Sequence, residues 1–246
     1  MKMNDAVVLV TGANRGLGRA LVQRLLDAGA RKVYATARRP EQLADLERAG
    51  RGKVVPLALD VNDAASIAAA AKSAPDVTVL VNNAGVLASG SLLTSNDQAI
   101  GQEFATNVFG TLAVTKAFLP SLERAGSNGG AAIVNVLSVV SLASMPALGA
   151  YSASKAAAYS MTLALRSELA GRKVAVHAVL PGPIDTDMVR GMQMPKTSPE
   201  AVAKAIVEGV ERGHDDIAPD PMAADVVGQW GRDPKAVERQ FASMSG

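Results

Sequence analysis

The stretch AVVLVTGANRGLG, Ala6 to Gly18, decides the fold. Its first five residues are apolar and mostly β-branched, which predicts a short buried strand. Three glycines follow with the spacing GxxxGxG, and a leucine-rich helical pattern begins directly after them. A strand, a glycine turn and a helix in this order form the first half of a βαβ unit, so the stretch predicts a parallel α/β sheet.

The same alternation continues outward along the chain. Helical segments rich in Ala, Leu, Glu and Arg separate further strand-like runs, which read KVYAT, KVVPLAL, VTVLV, AAIVNVL and KVAVHAV. A long helix is expected from about Asp97 to Leu122, and another from YSASK to Ala170. The strands show no hydrophobic alternation, as is typical when helices cover both faces. We therefore expect a doubly wound parallel sheet, Rossmann-like, in three α/β/α layers.

Domain organisation is expected to be simple. The chain has 246 residues, of which 48% are hydrophobic, enough for one large core. Linkers, repeats and low-complexity segments are absent from the sequence, so residues 1–246 are interpreted as a single domain. Within it we predict a substrate loop at 186–197 and, after a short DDIAP strand, a C-terminal helical tail at 220–246.

Composition excludes several classes of function. The net charge is +2 and no basic block occurs, which argues against a nucleic-acid partner. Cysteine is absent and only two histidines, His177 and His214, are present, so we expect neither thiolate catalysis nor a metal site. Neither a signal-peptide core nor an unbroken apolar span is found, which predicts a cytoplasmic location and no membrane partner.

The glycine turn has the chemistry of a phosphate-binding loop. Glycines at 12, 16 and 18 allow a tight turn, and the helix that follows offers its positive N-terminal end to a pyrophosphate. Alone, such a cluster is equally typical of an ordinary turn.

The end of the second strand, VYATARRP, bears on the choice of dinucleotide. An NAD site usually places an acidic side chain here for the adenosine ribose, but this chain has Ala37. Arg38 follows and Arg15 lies in the glycine loop, so two guanidinium groups are expected to bind a 2′-phosphate. The alternative is that Arg38 and Arg39 are surface charges before a helix. We predict NADP(H) in preference to NAD(H).

A tyrosine and a lysine lie one helical turn apart in YSASK, Tyr151 to Lys155. Residues at i and i+4 share a helix face, so the phenol and the ammonium group can serve one site. By itself the spacing means little, and an exposed helix with a solvated lysine is the default interpretation of the pair alone.

Taken in chain order, these motifs resemble the classical short-chain dehydrogenase/reductase family. The resemblance covers about Val7 to Thr186 and is carried by the glycine loop, Asp60 in LALDV, NNAG at Asn82 to Gly85, Ser138, Tyr151, Lys155 and PGPIDT at Pro181 to Thr186.

The resemblance implies four catalytic residues. Tyr151 is expected to be the general acid/base, and Lys155, with the positive ring of an oxidised cofactor, is expected to lower its pKa from about 10. Ser138 is expected to hold the substrate oxygen. Asn107 is expected to kink the long helix and to support a water relay to Lys155.

The resemblance also implies the cofactor contacts. They comprise Gly12, Asn14, Arg15, Gly16, Leu17, Gly18, Arg38, Asp60, Val61, Asn83, Ala84, Gly85, Tyr151, Lys155, Pro181, Gly182, Ile184 and Thr186. For Asp60, a hydrogen bond from the adenine amino group and a helix N-cap remain equal alternatives.

The predicted function is hydride transfer between NADP(H) and a small, neutral, mostly apolar ketone, aldehyde or secondary alcohol. Met145, Met188, Met192, Met194 and Leu142 suit an apolar substrate wall, although methionines also fill ordinary cores. One alternative is an NADP(H)-binding sensor without turnover. Another is an epimerase or dehydratase, which would need a further acid/base that the sequence does not reveal.

The oligomeric state is predicted less directly. The chain departs from the common family ending, a strand with a DGG signature, and this departure argues against the usual homotetramer. Its long helices favour a homodimer, so a homodimer is expected, with the homotetramer as the alternative.

Overall fold

A computed structural model describes residues 1–88, 90–127 and 130–244. In these ranges, seven parallel strands form one sheet in the order β3-β2-β1-β4-β5-β6-β7. The strands are β1 (Val7–Val10), β2 (Lys32–Ala37), β3 (Val54–Ala58), β4 (Val79–Asn82), β5 (Ala131–Val136), β6 (Val174–Val179) and β7 (Asp216–Ile217). The order reverses between β1 and β4, so the loops after these strands diverge and open a crevice.

Helices connect the strands and lie on both faces of the sheet. They are α1 (Gly16–Asp27), α2 (Ala44–Ala49), α3 (Ala64–Ser73), α4 (Asp97–Phe104), α5 (Thr111–Ser127), α6 (Gly149–Leu169), α7 (Pro199–Arg212), α8 (Pro221–Trp230) and α9 (Pro234–Ala242). The predicted doubly wound, three-layer α/β/α fold is confirmed.

Each face of the sheet has its own core, and β1 shows why its sequence is uniformly apolar. Val8 and Val10 pack in one cluster with α1 and α7, whereas Val7 and Leu9 pack in the other with α3 and α5. Successive strand residues point to opposite faces, so every residue of a strand covered on both faces must be apolar.

The long helix predicted from about Asp97 to Leu122, with a kink at Asn107, is interrupted around that residue. A π-helical turn, Ala105–Gly110, separates α4 from α5, and α5 continues to Ser127. The turn contains Asn107, whose buried side chain bonds outside its own helix. It also packs Gly110 against the loop that follows β3. A Cβ on Gly110 would lie 2.9 Å from the carbonyl oxygen of Val61. Such π-turns change the direction of side chains and often occur at functional sites.

The last two helices lie over the carboxyl end of the sheet. Ala223 and Val226 of α8 and Val237 and Phe241 of α9 are buried in one cluster with Tyr151. This arrangement places the C-terminal segment against the crevice. No helix in the described ranges has both the length and the apolar composition needed to cross a membrane.

Candidate active site

A cavity of about 700 Å³ lies at the carboxyl edge of the sheet. It is lined by the loops that follow β1, β2, β3, β4, β5 and β6, so it extends across the point where the strand order reverses. Every predicted cofactor-binding residue lines it.

The glycine loop is held in a conformation that needs glycine. Gly12 and Gly16 have φ values of 66° and 51°, in the left-handed region that side chains disfavour. The Asn83 side-chain amide donates to the carbonyl oxygens of Thr11 and Gly12, at 2.9 and 3.2 Å. Asn83 therefore fixes the loop, in addition to lining the cavity. Helix α1 begins at Gly16 with no acidic residue in its first turn, so its positive end faces the cavity without a competing carboxylate.

A cluster of arginines surrounds the part of the cavity next to β2. Ala37 ends this strand and is buried, and Arg38 and Arg39 follow it into the lining. Arg15 approaches from the glycine loop, where it lies 3.9 Å from Asp187 of the predicted substrate loop. The Gln42 side chain bridges Asn14 and Arg39. Three arginines thus line the cavity, and β2 ends in Ala37 instead of an acidic residue.

Asp60 lines the cavity, and the alternative prediction that it is a helix N-cap is wrong. Its Oδ1 accepts a hydrogen bond from the backbone N–H of Asn62 at 2.9 Å. Helix α3 is capped by Asp63, whose Oδ1 accepts from the N–H of Ala65 at 2.9 Å. The helix begins four residues after Asp60, at Ala64, so Asp63, directly before it, is the N-cap.

Ser138, Tyr151 and Lys155 come together in the part of the cavity next to β5. Ser138 follows β5, and its hydroxyl lies 3.4 Å from the carbonyl oxygen of Pro181. Tyr151 lies in the first turn of α6. Lys155 donates through Nζ to the carbonyl oxygen of Val136 at 2.9 Å and lies 5.7 Å from the centre of the Tyr151 ring. All three are at most 9% exposed.

Asn107 joins three elements behind this group. Its Nδ2 donates to the Val86 carbonyl oxygen and to Ser154 Oγ of α6, at 3.0 and 2.9 Å. Its Oδ1 accepts from the N–H of Val86 at 2.9 Å. A Cβ on Gly85 would meet both Asn107 Oδ1 at 3.2 Å and Lys155 Nζ at 3.6 Å. Asn107 thus holds the segment after β4 next to Lys155.

In the chain alone, burial dominates the electrostatics of Tyr151 and Lys155. Burial raises the pKa of Tyr151 well above 10, the Glu103 carboxyl group raises it further, and a hydrogen bond with Ser138 opposes the rise. Burial lowers the pKa of Lys155 from 10.5 to about 8. The chain alone therefore favours the neutral phenol, because Lys155 is itself desolvated and its ammonium group is directed to the Val136 carbonyl.

This shift makes stability depend on pH. The pKa of Lys155 is lower in the folded protein, so the unfolded chain binds more protons between about pH 8 and 10.5. In the cofactor-free protein, Lys155 should therefore make the free energy of unfolding rise with pH across this window. Denaturant unfolding at several pH values should show that Lys155→Met reduces the rise. An unchanged slope in the variant would contradict the shift.

The remaining part of the cavity is apolar. Met145, Met188, Met192 and Met194 line it as predicted. Leu142 does not line it and instead packs among the buried residues around Val139 and Ala158, so that assignment is wrong. Met222 of α8 also lines the cavity. Its position could not be predicted, because no pattern in the helical tail indicates which helix face contacts the site.

Asp220 connects the C-terminal segment to the loop after β6. It is 7% exposed, and its Oδ1 caps α8 by accepting from the N–H of Ala223 at 2.9 Å. Its Oδ2 accepts from the N–H of Gly182 at 2.8 Å. Asp-Pro before a helical pattern signals a cap, but the second bond spans 38 residues and has no local signature. Asp220 thus positions a loop whose residues Pro181, Gly182, Ile184 and Thr186 all line the cavity.

The described residues contain no group of three or more His, Asp or Glu side chains arranged to hold a metal ion. The functional groups brought together at the crevice are hydroxyls, amides and cations, together with the carboxylates of Asp60 and Asp187.

Comparisons with known proteins agree with this architecture. The family model for short chain dehydrogenases matches residues 6–196. A short chain dehydrogenase from Burkholderia cenocepacia, solved in complex with NADP, is 39% identical with a TM-score of 0.91, covering 98% of this chain and 99% of that one. A short chain dehydrogenase/reductase from Burkholderia phymatum, solved in complex with NAD, is 26% identical with a TM-score of 0.85, covering 96% of both chains. Sulfoacetaldehyde reductase 2 of Chromohalobacter salexigens is 38% identical over 192 residues, 75% of this chain and 75% of that protein. The chain belongs to the short-chain dehydrogenase family of oxidoreductases.

Proposed function

We propose that this protein is an NADP(H)-dependent oxidoreductase that interconverts a neutral, mostly apolar ketone or aldehyde and the corresponding alcohol. The observation that carries the proposal is the burial of Ser138, Tyr151 and Lys155 side by side in a cavity that is also lined by the glycine loop and five methionines.

The cavity fits a nicotinamide dinucleotide. The left-handed glycines of the loop and the open N-terminal end of α1 suit the pyrophosphate. Asp60 and Val61 would flank the adenine, and the loop from Pro181 to Thr186, together with Lys155, would adjoin the nicotinamide; residues of both groups line the cavity. Bound there, the nicotinamide group would supply the hydride for reduction or accept it in oxidation.

The chain's own residues provide proton transfer and orientation. In reduction, the substrate carbonyl oxygen accepts hydrogen bonds from Ser138 and Tyr151. As hydride reaches the carbonyl carbon, the phenol proton of Tyr151 moves to the oxygen, leaving an alcohol and a phenolate. The raised pKa of Tyr151 suits this direction because the phenol must be protonated when the substrate arrives. Lys155, close to the phenol, stabilises the phenolate that forms.

The preference for NADP(H) is supported by charge. Ala37 removes the carboxylate that would repel a 2′-phosphate, and Arg15, Arg38 and Arg39 all line that part of the cavity. The Burkholderia cenocepacia relative, the more similar of the two solved proteins described above, was solved with NADP.

Charge reversal at Arg38 is expected to raise the KM for NADPH far more than the KM for NADH. In Arg38→Glu, a guanidinium group that binds phosphate becomes a repelling carboxylate, so the KM for NADPH should rise about 10- to 100-fold. The KM for NADH should change by about threefold or less, since NADH has no 2′-phosphate at this position. Steady-state kinetics with both cofactors measure the ratio. Arg31→Glu, an exposed arginine outside the cavity, is the control. Equal losses with NADPH and NADH would contradict the assignment.

The reaction itself is tested by following the oxidation of NADPH and of NADH against a panel of small ketones, aldehydes, diketones and quinones. Substrates with apolar groups next to the carbonyl should react best, because methionine side chains form the wall. Tight NADP(H) binding without turnover of any compound would favour the sensor alternative.

We also infer a homodimer. Phe109 in the π-turn and Leu163 on α6 are 64% and 42% exposed, and they lie on neighbouring elements joined by the Asn107 to Ser154 hydrogen bond. Large apolar side chains exposed on adjacent helices are typical of a surface that another chain covers.

A further inference from the structure

Asp220 is a buried acidic residue that helix capping alone does not explain. It precedes Pro221 at the start of α8 and is 7% exposed. Within the described ranges it forms no ion pair, so no side-chain cation offsets its burial. A buried charge is costly unless it is paired or hydrogen-bonded, and a serine or threonine would cap the helix without that cost. The second carboxylate oxygen therefore calls for a role of its own.

The chain contains the same capping motif twice. Helices α8 and α9 both begin with Asp-Pro-x-Ala, at Asp220 and Asp233, and each aspartate Oδ1 accepts from the N–H of the alanine, at 2.9 and 3.0 Å. Asp233 is exposed, and its Oδ2 lies 3.7 Å from Arg239 of its own helix. Asp220 is buried, and its Oδ2 accepts from the N–H of Gly182 at 2.8 Å. The two aspartates thus share the cap and differ in what the second oxygen contacts.

The peptide group that joins Pro181 to Gly182, the 181–182 peptide, is held from both sides. Its N–H donates to Asp220. Its carbonyl oxygen, on the opposite side of the trans peptide, accepts from the N–H of Val139 at 3.0 Å and from the Ser138 hydroxyl at 3.4 Å. A Cβ on Gly182 would lie 2.9 Å from Asp220 Oδ1, so this approach requires glycine. Asp220 and Ser138 therefore bond to the two ends of one peptide group in the cavity wall.

The other contacts of α8 near the site are apolar. Met222 lines the cavity, and Ala223 and Val226 are buried in one cluster with Tyr151. Apolar packing sets the distance between elements, but it does not set the direction of a peptide group, whereas a hydrogen bond is directional. Asp220 therefore supplies the orientation that the packing of α8 leaves free.

We propose that Asp220 is a positioning residue for hydride transfer, which fixes the 181–182 peptide and thereby holds the loop after β6 and the Ser138 hydroxyl in their reactive arrangement. The inference rests on the proposed function. Asp220 does not line the cavity and exchanges no proton. Chemistry is sensitive to such placement, since an error of about 1 Å can cost about 10²-fold in rate. The glycine loop and the loops after β2 and β3 belong to other elements, so the adenosine end of the site should not depend on Asp220.

Asp220→Ser removes the bond to Gly182 and keeps the cap, because serine is a comparable N-cap with a single side-chain oxygen. The kcat for carbonyl reduction should fall about 10- to 100-fold. The dissociation constant of 2′,5′-ADP, which has the adenosine end of NADPH and no nicotinamide, should change by about twofold or less. Asp233→Ser, the same substitution at the matching cap, should leave both quantities as in the parent. A parent-like kcat in Asp220→Ser would refute the proposal.

A second readout needs neither turnover nor cofactor. Hydrogen exchange of the Gly182 amide, followed by NMR in the cofactor-free protein, should be at least about 10-fold faster in Asp220→Ser than in the parent and in Asp233→Ser. Equal exchange would refute the proposal. Faster exchange with an unchanged kcat would refute the role in catalysis and leave the proposed function intact. Faster exchange in a protein whose parent turns over no substrate would refute the proposed function and leave only the structural bond.

Gly182→Ala disturbs the same contact from the loop and serves if Asp220→Ser does not fold. Its Cβ would press on Asp220 Oδ1 and, at 3.3 Å, on Met222. The kcat should again fall about 10-fold or more while 2′,5′-ADP binds as in the parent. A parent-like kcat in this variant would refute the proposal as well.

Discussion

Replacing Tyr151 by phenylalanine is expected to lower kcat for carbonyl reduction by about 10³-fold, within the range that a general acid contributes. The variant keeps the ring that packs with Met145, Leu148 and the apolar residues of α8 and α9 but lacks the proton. The NADPH dissociation constant should change little, because the pyrophosphate and 2′-phosphate regions are untouched. Steady-state kinetics and NADPH fluorescence titration measure the two quantities.

The chain contains a matched control for this variant. Tyr159 lies on the same helix, two turns later, and its hydroxyl donates to Asp216 at 2.8 Å, away from the cavity. Tyr159→Phe should retain turnover within about threefold of the parent, since a part-exposed hydrogen bond affects stability more than chemistry. Turnover preserved in Tyr151→Phe would remove Tyr151 from the proton-transfer step.

Replacing Gly18 by alanine is expected to disrupt the cofactor loop. The new Cβ would lie 2.2 Å from the carbonyl oxygen of Gly12 and 2.6 Å from Asn83 Nδ2, so backbone as well as side chain must shift. Overpacking of this kind costs about 1–3 kcal/mol. If the cost falls on the binding conformation, the NADPH dissociation constant rises about 10- to 100-fold.

Gly101→Ala is the control for Gly18→Ala. Gly101 lies within α4, and a Cβ there would meet no atom within 4 Å. Alanine is the better helix former, so this variant should be more stable by up to about 1 kcal/mol and should bind NADPH like the parent. Thermal unfolding and fluorescence titration distinguish the two glycines. Unaltered affinity in Gly18→Ala would show that the loop adapts without losing its binding conformation.

Most of the fold was predictable because strands covered on both faces have a strong signature. The uniformly apolar run of β1 and the glycine turn after it required helices on both faces and a right-handed crossover. The resemblance implied a kink at Asn107, but neither its form as a π-turn nor its hydrogen bonds could be predicted. Its hydrogen bonds join α6 and the segment after β4, and no local pattern in ATNVFG shows that Asn107 leaves its own helix to bond there.

Individual site residues were harder to predict where the deciding contact is distant in sequence. An aspartate at the end of a strand, such as Asp60, is a common helix N-cap, but Asp63 is the N-cap of α3. Leu142 follows Ser138 closely, but the short turn Val139–Ser141 directs it into the core. The burial of Glu103 could not be predicted because a glutamate in a helix ordinarily faces water, and its bond from the Ala88 N–H lies outside its own helix.

The bond between Asp220 and Gly182 has a consequence for how the protein is made. Gly182 leaves the ribosome well before Asp220, so the loop after β6 emerges without the carboxylate that later holds it. The glycine loop, β2 and β4 leave the ribosome earlier still, but a domain generally folds as a unit. The loop after β6 therefore reaches its final position only after α8 has left the ribosome and docked, so we expect the complete site to form late in synthesis.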